Sequence, residues 1–235
     1  METINYIILV PMVYLAFAVF FVGIIVKIIS ILRRPPLVPH SPIYPKNRPV
    51  WFWALYDAFL MPSVRRHNPV LWCFLMAFHV CFLLLIIGHL ELIKDFRLFQ
   101  IVEHEVFLGR GVIGLLLSVS LLFFLFRRFV EPAKDLSVPE DYYLLILLFL
   151  TVIFGSQMDW ARTLYDYEEM GVEAYRAYLM SLLTLKPEIT DLSLSGHSFM
   201  LILHVFFANL FLMFFPFSKI MHSFFSIPLN ALRRG

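Results

Sequence analysis

The apolar residues of this chain are gathered into long stretches, and the charged residues lie mostly between them. Five stretches are long enough to cross a bilayer as helices, which takes about 20 residues each. The predicted spans are Tyr6–Ile31, Pro69–Leu92, Arg110–Phe129, Tyr142–Trp160 and His197–Phe217. The pattern predicts an all-α membrane protein, a bundle of five transmembrane helices forming a single membrane-embedded domain over residues 1–235.

Two segments outside these spans also have a recognisable pattern. Tyr44–Met61 places several aromatic rings among prolines and basic residues. Aromatic rings settle at headgroup depth, so this pattern indicates a segment at the inner membrane interface. Ala161–Leu185 has the pattern of an amphipathic helix, which we expect outside the membrane, covering the mouth of a site.

The composition excludes an ordinary soluble domain. The chain of 235 residues is 60% hydrophobic and 15% charged, with a mean hydropathy of +0.81. Cys73 and Cys81 lie about 12 Å apart along a helix, too far to form a disulfide, and we expect both to be buried apolar residues. No CxxCH or clustered cysteine motif occurs, which argues against covalent haem attachment and against an iron–sulfur cluster in this chain.

The basic residues are concentrated in three of the segments that flank the spans. They follow spans one, three and five: Arg33, Arg34, Lys46, Arg48, Arg65, Arg66; Arg127, Arg128, Lys134; Lys219, Arg233, Arg234. The other two loops are richer in acidic residues. By the positive-inside rule, the N-terminus lies outside and the C-terminus in the cytoplasm. The first span then serves as a retained anchor, because its start lacks the positive charge of a signal peptide.

Four histidines carry the candidate chemistry. His79 and His89 lie in span two, while His204 and His222 lie in and after span five. Because the two spans are antiparallel, an outer pair (His89 and His204) and an inner pair (His79 and His222) would form two layers. On a continuous helix, His204 and His222 would share one face, five turns and about 27 Å apart. Such pairs can provide the two axial ligands of a haem.

Each histidine also has a simpler interpretation. A membrane histidine can be a buried hydrogen-bonding residue or part of a proton path. His197 is a rival ligand on span five, although its distance from His222 would fit a bilayer poorly. We expect His40, His67 and His104 to be solvated in loops.

A haem with two histidine ligands has no open position, which favours electron transfer over chemistry on a bound molecule. Its propionates need positive partners. Arg127 and Arg128 could serve the inner haem, and Arg110 could serve the outer haem or a ligand beside it. The alternative role of Arg127 and Arg128 is to set the membrane topology.

Two motifs resemble a known family. The segment from His204 to His222, with FPFSK-(x)2-H and a trailing S-x-P, resembles the last helix of the gamma subunit of respiratory nitrate reductase. MAFHVCFLLLIIGHLEL, with its F-H-(x)9-H spacing, is similar to that subunit's second helix. The similarity extends over nearly the whole chain, although spans one, three and four match mainly in hydropathy.

The resemblance implies a di-haem cytochrome b of a prokaryotic cytoplasmic membrane. It would hold two haem b and exchange electrons between quinol and iron–sulfur or catalytic subunits on the cytoplasmic side. Menaquinone is the favoured quinone, and periplasmic redox subunits are further candidate partners. The family's quinol site uses a lysine near the start of span three, where this sequence offers Arg110. Segment Pro35–Pro62 departs from the nitrate reductase pattern and favours a sulfur-metabolism complex of the same family.

Two other classes of function compete with this hypothesis. A proton-conducting or transport subunit would use the histidines as relay groups, but the middle of each span lacks an acidic residue. A membrane anchor without haem would leave the paired histidines unexplained. The sequence favours an electron-transfer subunit of a quinol-linked oxidoreductase complex, without nucleic-acid binding.

Overall fold

The regular secondary structure of this protein is helical. The computed structural model describes residues 2–33, 49–91, 93, 111–165, 172–189 and 198–234, and these residues contain no strand. The α-helices are α1 Glu2–Leu9, α2 Pro11–Leu32, α3 Val50–Leu60, α4 Pro62–His67, α5 Pro69–Glu91, α6 Val112–Arg127, α7 Pro139–Tyr165, α8 Val172–Leu183, α9 Ser198–Phe214 and α10 His222–Arg234. The all-α prediction is confirmed for the part of the chain described.

Four helical segments are long and apolar enough to cross a membrane: Glu2–Leu32, Pro69–Leu90, Pro139–Met158 and Phe199–Phe217. They correspond to predicted spans one, two, four and five. Predicted span three appears as α6, whose 16 residues rise only about 24 Å, against a hydrocarbon core of about 30 Å. Arg110, where that span was predicted to begin, lies outside the described residues. The five-span count and the orientation therefore stay predictions.

The four candidate spans expose much apolar surface. Large side chains such as Phe21, Val22 and Leu83 are each more than half exposed. A soluble monomer seldom leaves so many large apolar groups in water. Lipid chains would cover these faces, which supports the assignment of a membrane protein.

The chain divides into two compact units. The first contains Met1–Phe17 and Ala77–Phe211, and the second contains Ala18–Met76 and Leu212–Gly235. The single-domain interpretation over residues 1–235 stays a prediction.

The core of the first unit joins the N-terminal helices to α8 and α9. Its buried side chains are Leu9, Val10, Val13, Tyr178, Leu182, Leu201 and Ile202. Two tyrosine hydroxyls donate hydrogen bonds across this core, from Tyr178 to the carbonyl of Leu9 at 2.6 Å and from Tyr14 to that of Leu182 at 2.8 Å. Burial raises the pKa of Tyr178 above its usual range.

Helices α6 and α7 pack closely within the same unit. A Cβ atom added to Gly114 would overlap the side chain of Ser156, so glycine permits this approach. At the turn between the helices, Arg128 forms an ion pair with the buried Asp141 at 3.0 Å. The hydroxyl of Tyr142 donates to the carbonyl of Arg128 at 2.6 Å. These contacts stabilise the turn that joins α6 to α7.

The second unit contains the predicted interface segment. Within Tyr44–Met61, residues 50–60 form α3, which packs against α10, and Trp51 and Phe59 on α3 are exposed. The indole of Trp72 donates a 2.8 Å hydrogen bond to the carbonyl of Leu60, which closes the corner after α3. The exposed rings agree with an interfacial helix.

The predicted amphipathic helix at Ala161–Leu185 is not one helix with those bounds. Residues 161–165 continue α7, and a separate helix, α8, covers 172–183. Residues 166–171 lie outside the described part. The buried Tyr178 and Leu182 give α8 the apolar face that the pattern predicted.

The prediction that His204 and His222 lie on one face of a continuous helix is wrong. Helix α9 ends at Phe214, and two 3₁₀ turns, Phe215–Phe217 and Lys219–Met221, separate it from α10, which begins at His222. Pro216 lacks the amide hydrogen that a continuing helix requires, and Ser218 is extended, with a ψ of 169°. The five-turn spacing therefore does not describe this segment.

Candidate functional site

The two histidines of the outer pair face each other within the first unit. His89 lies near the end of α5 and His204 lies in the middle of α9. The centroids of their rings are 6.1 Å apart, and the ring planes differ by 24°. The sequence placed these two residues in one layer, and the structure brings them together.

The Nδ1 atom of each ring is already used in a hydrogen bond. Nδ1 of His89 lies 2.7 Å from the carbonyl oxygen of Leu85, and Nδ1 of His204 lies 2.8 Å from that of Thr151. A carbonyl oxygen only accepts hydrogen bonds, so in the neutral ring Nδ1 carries the hydrogen. The unprotonated nitrogen is then Nε2, which is left available as a ligand.

This geometry fits a pair of axial ligands. If each imidazole nitrogen lies about 2 Å from a metal ion, two opposed rings have their centroids about 6 Å apart. The observed separation of 6.1 Å matches that spacing. Histidine ligands usually donate their other ring N–H to a carbonyl or carboxylate, as both of these do. The donors of the outer pair therefore fit haem iron.

A third helix takes part in this site, which the pattern of the sequence did not predict. Helix α7 supplies the carbonyl of Thr151, and four residues later Gly155 lies against the ring of His204. The available signal was an isolated glycine inside an apolar helix, which often marks a close packing contact.

The histidines of the inner pair fall in different units, so each has its own surroundings. His79, on α5 in the first unit, is exposed and lies edge-on to the ring of Phe78, with the ring centroids 5.2 Å apart. His222, in the second unit, is exposed at the start of α10, and its Nδ1 lies 3.0 Å from the carbonyl oxygen of Lys219. In the neutral ring of His222, Nδ1 therefore also carries the hydrogen, and Nε2 is the unprotonated nitrogen.

The candidate arginines differ in their exposure and in their contacts with other polar side chains. Arg127 is exposed at the end of α6, whereas Arg128 uses its Nη1 on both Asp141 and Ser137. Arg110 lies outside the described residues. Of the two described arginines, Arg127 has the guanidinium that is more accessible to an anionic group.

The remaining histidines and the cysteines form no further site in the described part of the chain. His67 is exposed, as predicted, but it is the last residue of α4 rather than a loop residue, and its Nδ1 lies 2.8 Å from the carbonyl oxygen of Ser63. His40, His104 and His197 lie outside that part. Cys81 is buried as predicted, but Cys73 is exposed, which corrects that prediction. Across the described ranges, no group of three or more histidine, cysteine or acidic side chains gathers. Haem needs only two protein ligands, so the pair itself is the candidate site.

Comparison with known proteins gives a family and two relatives. The model of the nitrate reductase gamma subunit family matches residues 66–235. A protein of Archaeoglobus fulgidus named "Hdr-like menaquinol oxidoreductase cytochrome b-like subunit" is 26% identical over 89% of this chain and 74% of its own length. A protein of the same name from Archaeoglobus profundus is 25% identical over 89% of this chain and 73% of its own length.

Proposed function

This chain belongs to the nitrate reductase gamma subunit family, and from that membership we propose that it is a di-haem b-type membrane subunit of a respiratory oxidoreductase complex. It exchanges electrons between quinol and iron–sulfur partner subunits. The family model covers α5 and α9, which carry the outer pair. The similar archaeal proteins are named as cytochrome b-like subunits, which supports the same role.

The observation that carries this proposal is the geometry of His89 and His204. Two imidazoles from different helices oppose each other at a centroid distance of 6.1 Å, and both Nδ1 atoms are bonded to carbonyl oxygens. A pair of histidines that merely filled the core would not need this separation or this shared tautomer. A proton relay would not require both Nδ1 atoms to be bonded to carbonyl oxygens, which leaves Nε2 as the unprotonated nitrogen of each neutral ring.

The chain's contribution is to hold two ligands in a fixed orientation. When bound, haem supplies reversible one-electron exchange. His89 and His204 would be the two protein ligands of this haem, which would leave no ligand position for a small molecule. The Nδ1–H groups keep the rings in one tautomer, and their carbonyl partners make each Nε2 a stronger donor. The residues are arranged for electron transfer.

We propose that His79 and His222 hold the second haem. Both lie outside the interior of a core, and Nδ1 of His222 is fixed by the carbonyl of Lys219. Arg127 is the candidate partner for a propionate of this haem, since Arg128 is engaged by Asp141. The distribution of basic residues in the sequence supports a location of this pair on the cytoplasmic side.

We propose menaquinol as the electron donor and a cytoplasmic iron–sulfur subunit as the acceptor. Both similar archaeal proteins carry menaquinol in their names. Quinol would bind at the outer side of a prokaryotic cytoplasmic membrane, near His89 and Arg110. The word Hdr-like in those names agrees with the departure of Pro35–Pro62 from the nitrate reductase pattern, and it favours a sulfur-metabolism complex.

The first test is spectroscopic. The full chain, purified in detergent with its membrane lipids, should show the visible bands of b-type haem and about two haems per chain by the pyridine haemochrome method. Adding a reduced menaquinol analogue should reduce these bands. A folded preparation without haem would refute the proposal, and haem that the quinol analogue does not reduce would refute the assigned donor.

A further inference from the structure

The two ligands of the outer pair are held in different ways. Nδ1 of His89 is bonded to Leu85, four residues earlier in the same helix. Nδ1 of His204 is bonded to Thr151, which lies 53 residues earlier, on α7. The orientation of His89 therefore depends on α5 itself, whereas that of His204 depends on how α7 packs against α9.

Gly155 makes this contact possible. Thr151 and Gly155 are four residues apart, so they lie one above the other on the same face of α7. A Cβ atom at position 155 would lie 2.9 Å from Nδ1 and 3.0 Å from Cε1 of His204. Real Cβ atoms essentially never approach a neighbour this closely. The ring of His204 therefore occupies space that any other residue at position 155 would fill.

We propose that Thr151 and Gly155 are positioning residues that orient His204 and thereby set the reduction potential of the outer haem. The inference rests on the proposed haem-binding function. A hydrogen bond from Nδ1–H to the Thr151 carbonyl makes Nε2 a more basic ligand of the iron. A more basic ligand favours oxidised iron and lowers the reduction potential of the haem. Because this bond joins two helices, any displacement of the ring weakens it and raises the potential.

The test compares Gly155→Ala with the unaltered chain by redox titration of the purified full chain. We expect the midpoint potential of one haem to move upward while the other stays unchanged, with two haems still bound. The electron paramagnetic resonance signal of the same haem should shift, because the ring of His204 rotates. Gly155→Val adds more bulk against the ring and should lower the haem content to about one per chain.

Gly114→Ala is the matched control. It is the same substitution between α6 and α7, but its Cβ would meet the side chain of Ser156 rather than a ligand. We expect both midpoint potentials to stay unchanged in this variant. If Gly155 mattered only for helix packing, the two alanine variants would alter the potentials alike or not at all.

The outcomes separate the two proposals. An unaltered chain without haem overturns the proposed function. An unaltered chain with two haems, in which Gly155→Ala leaves both potentials unchanged or Gly114→Ala produces the same shift, overturns only the positioning role.

A second measurement applies if Gly155→Ala does not accumulate in the membrane. Electron–nuclear double resonance on the unaltered chain in D2O can follow exchange of the ligands' Nδ1 hydrogens. The interhelical Nδ1 hydrogen of His204 should exchange more slowly than that of the exposed His222. Equal exchange rates would contradict the positioning role.

Discussion

The outer and inner histidine pairs differ in how the structure places their members. Both members of the outer pair lie in the first unit, in the middle or last turns of regular helices. The inner pair is divided between the units, and His222 follows two 3₁₀ turns instead of lying within α9. The geometry of the outer pair therefore depends on helix packing within one unit, whereas the position of His222 depends on a local turn in the other unit.

The largest expected effect is the loss of one haem from either pair. His204→Ala should leave about one haem per chain and retain the inner one, and His222→Ala should do the reverse, because each removes one of two axial ligands. The loss is checked by measuring the haem content of each variant and the reduction potential of the haem that remains. His67→Ala, at an exposed histidine outside both pairs, should retain two haems. Loss of both haems in His204→Ala would show that the sites are not independent.

Gly23→Ala should weaken the second unit selectively. A Cβ at position 23 would lie 2.6 Å from Cβ of Pro216, so the turn before His222 must shift, at a cost of about 1–3 kcal/mol of overpacking. We expect a lower thermal midpoint and a reduced content of inner haem only. Val22→Ala, on an exposed part of α2, is the control. Equal loss of both haems would contradict the division between the pairs.

Tyr178→Phe should weaken the first unit by about 1 kcal/mol, because it removes the hydrogen bond to the carbonyl of Leu9. Burial raises the pKa of Tyr178 above the ordinary tyrosine value of 10.0. The stabilising contribution of this hydroxyl is therefore complete below pH 10.0, and it falls at higher pH as the unfolded chain loses the proton. The loss is at most about 1.4 kcal/mol per pH unit. Thermal melts at pH 8 and pH 11 should therefore show a smaller difference between parent and variant at the higher pH.

Tyr56→Phe, which changes an exposed tyrosine on α3, is the control for this series. Its thermal midpoint should follow that of the parent at both pH values. A difference between parent and Tyr178→Phe that does not narrow at pH 11 would show that ionisation of Tyr178 is not linked to unfolding.

The smallest effects should distinguish the two arginines at the end of α6. Arg128→Ala removes the ion pair with Asp141 and should lower the free energy of unfolding by about 1 kcal/mol, with little change in potential. Arg127→Ala should leave stability unchanged and lower the inner-haem potential, because a nearby positive charge favours the reduced form. A larger change of potential in Arg128→Ala would reverse this assignment of the propionate partner.

Much of the outer site could be predicted because its signals are local. A histidine in an apolar helix is conspicuous because its transfer out of water is energetically costly. Because the two predicted spans run in opposite directions, His89 and His204 are predicted at the same depth. The role of Gly155 could not be predicted, because an isolated glycine in a helix does not show which neighbouring side chain lies against it. The break at Pro216 was visible as a proline, but the extended Ser218 that follows it was not.

The sequence alone determined the class of this protein, because the backbone polar groups of long apolar stretches in lipid are satisfied only within helices. It also singled out the candidate ligands, because a histidine in an apolar stretch is costly to remove from water. The tertiary structure decided that α7 holds His204, that His222 starts a new helix, and that His79 and His222 belong to different units. These features arise from contacts between residues far apart in the chain, and such contacts depend on packing geometry that hydropathy does not encode.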